Sequence, residues 1–206
     1  MELRVFISST CEDLGQVRAD LSEACRRAGW IPVLCEEGSV TYEREVEDSC
    51  YDEVQNCPVL ISIIGRRWGT PSVHDRNISI SQGEFNAAMA KKKKVYVFIK
   101  PDVFYEYKTY SKNRDNPRYT PCSVDDIRTF SFIEDIYNSK DENVVINPFL
   151  SVSKIMDYLK KQFGGIVENA LEHKSEKVEL KSNSLWPHNM KIFTGLYDKI
   201  GNVEIK

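Results

Sequence analysis

Apolar positions in the first hundred residues alternate between short continuous runs and stripes of three-to-four spacing. Leu3 to Ile7 (LRVFI) is a short β-branched run and predicts a buried strand. From Asp13, Leu14, Val17, Leu21, Cys25 and Ala28 recur at helical spacing, with Arg18, Asp20, Glu23 and Arg26 largely off that stripe. Gly29 follows as the C′ residue of this helix. Trp30 to Leu34 (WIPVL) predicts a second strand, and Pro32, lacking a donor, places it at a sheet edge or a bulge. A polar loop, Cys35 to Tyr42, leads to a polar helix over Glu43 to Asn56 with Val46, Cys50 and Val54 inward. Pro58 to Ile64 is apolar almost throughout, as expected of a strand covered on both faces. Gly65 to Gly69 (GRRWG) ends it, and a polar loop runs from Thr70 to about Ile80. A third helix spans roughly Gln82 to Lys91, and Val95 to Ile99 predicts a fourth strand.

The second half is less regular. Asp102 to Pro121, rich in Tyr, Lys and Asn, reads as a long loop or insertion, with Tyr105, Tyr107 and Tyr110 covering the sheet. Ser123 to Tyr137 predicts a helix with a capping-box variant at Ser123 and Asp126. Val144 to Ile146 is a short fifth strand. Ser153 to about Glu172 is helical, interrupted at Gly164-Gly165. Residues 1–174 thus read as one α/β domain, with the motif-bearing part at 3–100 and an insertion-rich part at 101–174. Residues 175–206 read as a tail or linker to a further domain. Strands alternating with helices predict a doubly wound, five-stranded parallel sheet with right-handed crossovers and flavodoxin-like order 2-1-3-4-5, helices on both faces.

Composition narrows the function classes. The 206 residues carry 28 Lys+Arg and 31 Asp+Glu, formally −3 at pH 7, which argues against a strongly basic nucleic-acid module. No run approaches about 18 consecutive apolar residues, so no membrane span is expected. MELRVFISST carries no secretory pattern, so a cytoplasmic location is expected. Six cysteines without C-x-x-C spacing read as reduced thiols, mostly small core residues. Three scattered histidines predict no metal site.

The topology itself indicates where a ligand binds. In a doubly wound sheet the site lies outside the carboxyl ends of the strands at the switch point, between strands one and three. Ser8, Ser9 and Thr10 follow strand one. Gly65, Arg66, Arg67 and Trp68 follow strand three. Ser81 and Glu84 open the next helix. Hydroxyls and backbone donors, an Arg pair for phosphate, a Trp face for stacking and one carboxylate suit a nucleotide. The carboxylate can grip ribose hydroxyls and stabilise an oxocarbenium-like centre. Each group also has an ordinary structural role. Ser81-x-x-Glu84 fits a capping box, Ser8 to Thr10 fit helix capping, Arg66 and Arg67 fit solvated loop charges, and Trp68 fits packing. Glu36 and Glu37 read as loop surface. No Walker A, dinucleotide fingerprint or nucleophile–His pair occurs.

Three segments carry a resemblance: VFISST-x-E-D-L (Val5 to Leu14), IIGRRWG (Ile63 to Gly69) and S-x-x-E-x-x-x-A-x-x-x-x-K-x-V (Ser81 to Val95). They resemble a TIR-like family of unknown function, related to TIR domains and nucleoside deoxyribosyltransferases and often found at the N-terminus of signalling ATPases. The resemblance implies a TIR-type sheet. It implies that Glu84 is the catalytic carboxylate, with Ser8 and Ser9 as the hydroxyls after strand one. It further implies NAD as substrate rather than cofactor, cleaved at its nicotinamide–ribose bond by an effector in defence or cell-death signalling. Implied partners are a second copy of the chain and a fused or associated signalling ATPase or sensor, without membrane or nucleic acid. Two other readings stay open, a non-catalytic interaction and oligomerisation module and a receptor for a nucleotide second messenger. Whether the chain is an enzyme is left open by the sequence.

Overall fold

A computed structural model describes residues 3–35 and 44–176. Five strands form one all-parallel sheet in the order β2-β1-β3-β4-β5, with β1 at Arg4–Ser9, β2 at Ile31–Val33, β3 at Val59–Ile64, β4 at Lys94–Ile99 and β5 at Val144–Pro148. The expected order is therefore observed. β2 is an edge strand, and Pro32 sits opposite Val5. The six residues of β3 are all buried, which accounts for a run that is apolar at every position but Ser62. β1 and β3 are in register from Val5↔Val59 to Ser9↔Ile63, so their carboxyl ends finish together.

Alternate side chains of the central strands feed two cores. On one face Val5, Ile7, Ile61 and Phe98 meet α1 (Gly15–Arg27) and α6 (Val152–Glu176) through Leu14, Leu21, Cys25, Ile155 and Leu159. On the other, Phe6, Leu60, Val95 and Val97 meet α2 (Arg44–Asn56), α3 (Ile80–Ala90), α4 (Pro101–Tyr110) and α5 (Arg128–Asn138) through Val54, Phe85, Val103 and Phe130. Gly29, at φ 77°, is the C′ residue of α1 as expected. Its N–H bonds to Arg26 O and the Trp30 N–H to Cys25 O, both at 3.0 Å, a Schellman closure.

The structure corrects several expectations. Pro101–Tyr110 is a helix, not a loop. Pro101 starts it, and Val103, Phe104 and Tyr107 form its buried stripe. Tyr107 stacks on Tyr137 at 5.6 Å and Tyr110 on Phe130 at 4.9 Å, whereas Tyr105 is exposed. α5 starts at Arg128, so Ser123 does not cap it. The Ser123 N–H instead donates to Glu106 Oε2 at 2.6 Å. α6 runs through Gly164-Gly165 without a break. Arg18, expected at the surface, is buried and donates to the carbonyls of Ile7 and Ser9, both at 3.3 Å, and to that of Cys35. Cys35 and Cys50 form a disulfide, Cα atoms 5.7 Å apart, while Cys25 and Cys57 are buried thiols. Burial pushes these two up to about 12 and about 11, consistent with inert core residues. The expectations for residues 36–43, including Glu36 and Glu37, and for the segment after residue 176 lie outside the described residues, as does the side chain of Val46. No described helix is long and apolar enough to cross a membrane.

Glu106 anchors the segment between α4 and α5 and gives a pH test of this half. Burial works against its ionisation, but donors from Ser123 and Cys122 outweigh burial and hold the carboxyl at about 2, below its ordinary 4.5. The native protein then keeps this carboxylate charged where the unfolded chain would protonate it. Its contribution is complete above pH 4.5 and is lost as pH falls towards 2. Glu106→Gln is expected to cost about 1.5–3 kcal/mol at neutral pH, with the gap from wild type closing below pH 4.5 in denaturant titrations run at stepped pH.

Candidate functional site

β1 and β3 end side by side, and α3 packs across both ends. This brings Glu84, 5% exposed, onto Ser8, 1% exposed. Ser8 Oγ donates to Glu84 Oε2 at 2.5 Å, across 76 residues of sequence. The start of α3 settles the competing capping-box reading. Its N-cap is Ser79, whose side chain accepts from the Gln82 N–H at 3.2 Å. Ser81 is therefore inside the helix. Glu84 lies beyond the first turn and aims its carboxylate at β1 rather than back at a helix terminus.

A second clasp joins the β1 and β3 loops. Asp13 Oδ1 accepts from Thr10 Oγ1, and Asp13 Oδ2 accepts from the backbone N–H of Arg66 at 2.7 Å and of Arg67 at 3.3 Å. Gly65 is required by this clasp, since a Cβ there would lie 2.3 Å from Asp13 Oδ2. Gly69, at φ 94°, turns the chain beside Thr10, and its Cβ would lie 3.0 Å from Thr10 Cγ2. Asp13, which sequence reading places only at the start of a helix, is thus the residue that fixes one loop to the other. T-x-x-D after a strand was its available signal.

Arg67 and Trp68 line a neighbouring groove of about 270 Å³ with Asp125, Asp126 and Arg128. Arg66 Nε pairs with Asp125 at 2.5 Å, and Arg67 pairs with Glu12 at 2.7 Å and Asp125 at 3.8 Å. These pairs are solvent-exposed, worth about 0–1 kcal/mol, so an anionic ligand can displace them. Trp68 is buried. The Arg128 guanidinium lies 3.6 Å from its ring centroid, and Asp126 holds Arg128 at 2.6 Å. Trp68 Nε1 and Thr129 Oγ1 are buried without a hydrogen-bond partner among the described residues. Both residues also line a small cleft with Thr10, Arg67 and Ser81. Asp125, Arg128 and Thr129 come from the less regular half, where no motif marked them, and Asp126 was marked there only as part of a helix cap.

On the other side of Glu84, α2 leans on α3. Glu47, 0% exposed, accepts from Tyr51 OH, from Ser72 Oγ at 2.5 Å and from the Val73 N–H at 2.8 Å. This network ties the 70–79 loop to α2. Burial, then the bond to Glu47, holds the Tyr51 phenol above its usual range. Tyr51 sits over Gly83, next to Glu84, and the two line a groove of about 390 Å³ with Ser72, His74 and Asn86. Glu47 and Tyr51 were missed because a buried glutamate on a polar helix carries no pattern of its own.

Of the expected residues, the structure brings Ser8 and Glu84 into direct contact. Ser9 follows Ser8 on β1, Thr10 and Ser81 line the small cleft beside Trp68, and Gly65 abuts the Asp13 clasp; Arg67 and Trp68 line the adjacent groove, while Arg66 pairs with Asp125 at the surface. The fold and site define an open, all-parallel α/β protein with a buried carboxylate at its switch point. Residues 4–164 match the family described as a domain of unknown function, DUF4062, and the chain belongs to that family. Among solved structures it is similar to a CMP N-glycosidase of Clostridium botulinum, with 16% identity over 77% of this chain and 98% of that one, at a TM-score of 0.43. It is also similar to a structure described as UDP-N-acetylglucosamine 4-epimerase from Bacillus cereus, with 14% identity over 71% of this chain and 57% of that one, at a TM-score of 0.42. At these identities the likeness is one of fold. No curated protein matches the sequence.

Proposed function

We propose that this protein hydrolyses the N-glycosidic bond of a nucleotide, with NAD as the first substrate to test. The observation that carries this reading is the buried Glu84 carboxylate, oriented by Ser8 Oγ where β1 and β3 end. The resemblance of its sequence segments to TIR domains and deoxyribosyltransferases supports the same choice of residue. In this reading Glu84 accepts hydrogen bonds from ribose hydroxyls and faces the positive charge that grows at the anomeric carbon. The C–N bond breaks with its electron pair going to the base. For nicotinamide, that pair neutralises the ring's charge. Water then bonds to the anomeric carbon and loses a proton. Little covalent help is needed from the protein, so a fixed charge in a water-poor site supplies most of the effect. Arg66 and Arg67 exchange their surface pairs for phosphate, and the Trp68–Arg128 wall of the groove takes a planar portion of the ligand.

The test is base release followed by chromatography, using wild type and Glu84→Gln at high protein concentration, with NAD and CMP as separate substrates. Release by wild type and not by the variant supports the proposal. Equal release by a folded Glu84→Gln protein refutes it. Tight binding of intact nucleotide without release would favour the receptor reading.

A further inference from the structure

The same carboxylate has two sulfur neighbours. Cys35 follows β2, Cys50 lies on the inner face of α2 at 2% exposure, and the two are bonded to each other. Cys35 Sγ, Cys50 Sγ and a Glu84 carboxylate oxygen all lie within 4.8 Å of one another. The three belong to separate elements that are held by other means. Arg18 grips the Cys35 carbonyl, the Glu47 network holds α2, and Ser8 holds Glu84. Opening the bridge therefore leaves the three donors in place.

We propose that, with the Cys35–Cys50 bridge reduced, the two thiolates and the Glu84 carboxylate form a site for a thiophilic divalent cation of the zinc type. A dithiol reductant supplies two electrons and two protons. The protein S–S bond breaks, two thiols form, and the reductant closes to its own disulfide. Cation binding then displaces the two thiol protons to solvent. Two thiolates and a carboxylate are a donor set suited to zinc, and three protein ligands leave a fourth position open. Bonds of about 2.0–2.3 Å put ligand atoms on a tetrahedral ion about 3.3–3.8 Å apart, so side-chain shifts of about 1 Å suffice. Burial keeps the free thiols protonated, so displacing their protons opposes binding and the affinity rises with pH.

An occupied site takes Glu84 away from any ribose. The chain would then be silenced by metal under reducing conditions and released by oxidation or a chelator. This consequence rests on the function proposed above; the metal site does not. The experiment is accordingly spectroscopic. The full chain is reduced with a dithiol, freed of it anaerobically, and titrated with Co²⁺. One equivalent should bind with thiolate-to-cobalt charge-transfer absorption, which Zn²⁺ bleaches. The oxidised protein should show none. Cys35→Ser, at the less buried sulfur, should lose the site with its circular dichroism unchanged, and Cys50→Ser serves as the second sulfur variant. Glu84→Gln should keep the sulfur bands but bind more weakly by at least the ~10–100-fold that loss of an outer-shell partner costs. Absence of charge transfer in folded, reduced wild type would overturn the proposal. So would undiminished affinity in Glu84→Gln, which would remove the carboxylate from the site. Both results stand whether or not nicotinamide is released.

Discussion

Glu84→Gln is expected to lower nucleotide turnover by at least about 10²–10³-fold, the scale seen when one preorganised electrostatic group is removed, while leaving the melting temperature within a few degrees of wild type. The substitution keeps the shape of the side chain and its ability to accept from Ser8 Oγ, 2.5 Å away. It removes the charge and turns one acceptor oxygen into an NH2 donor. Ser8→Ala makes the complementary change. It leaves the charge but frees its orientation, and it deprives a buried carboxylate of a donor. A smaller loss of kcat is expected, about tenfold to a hundredfold, together with a cost of about 1.5–3 kcal/mol in stability. The two variants separate charge from position. If turnover depended on Glu84 merely as packing, both would keep kcat and differ only in stability. Circular dichroism and thermal melts run beside the kinetics read that difference, and a variant pair with kcat within twofold of wild type would refute the assignment.

The sheet was legible because its strands carry the signal that burial on two faces imposes. Val59 to Ile64 can be apolar at every position but Ser62 only where helices cover both sides, and five short strand runs separated by amphipathic stripes leave few topologies. The convergence of Ser8 and Glu84 was legible for the same reason, since strand order alone places their elements together. The physics that escaped sequence reading is of another kind. Arg18 looks like a surface residue until the carbonyl ends of β1 need a donor. α4 is hidden by its tyrosines, which pack as an apolar stripe yet read as loop composition. Ser81-x-x-Glu84 looks like a cap, but the real cap, Ser79, lies two residues earlier, and a shift of that size turns a helix-terminus residue into a residue facing β1. The Cys35–Cys50 pair joins positions on different elements, and spacing along the chain carries no trace of that contact.

Gly83→Ala should test the frame around Glu84 from the other side, and here intrinsic propensity and packing predict opposite signs. Gly83 lies within α3, where alanine is favoured by about 1 kcal/mol. A Cβ at that position would lie 2.0 Å from the Tyr51 hydroxyl oxygen, 2.6 Å from Cζ and 2.9 Å from Cε1. The ring must move, and it is not free to do so, because its hydroxyl donates to the fully buried Glu47. Displacing it leaves Glu47 with only Ser72 Oγ and the Val73 N–H. Overpacking of about 1–3 kcal/mol and a weakened charge-assisted bond of about 1.5–3 kcal/mol outweigh the propensity gain. The single variant is therefore expected to be destabilised by about 2–4 kcal/mol. In a Tyr51→Ala background the clash is absent, and the same substitution should become neutral or stabilising by up to about 1 kcal/mol. A double-mutant cycle by denaturant titration reads this reversal directly. Equal effects in the two backgrounds would show that Tyr51 does not seat on α3. Because Gly83 precedes Glu84 on one helix, Gly83→Ala should also disturb the Ser8–Glu84 contact and lower turnover, and Tyr51→Ala should restore part of it, which ties the packing of α2 to the chemistry at the ends of the strands.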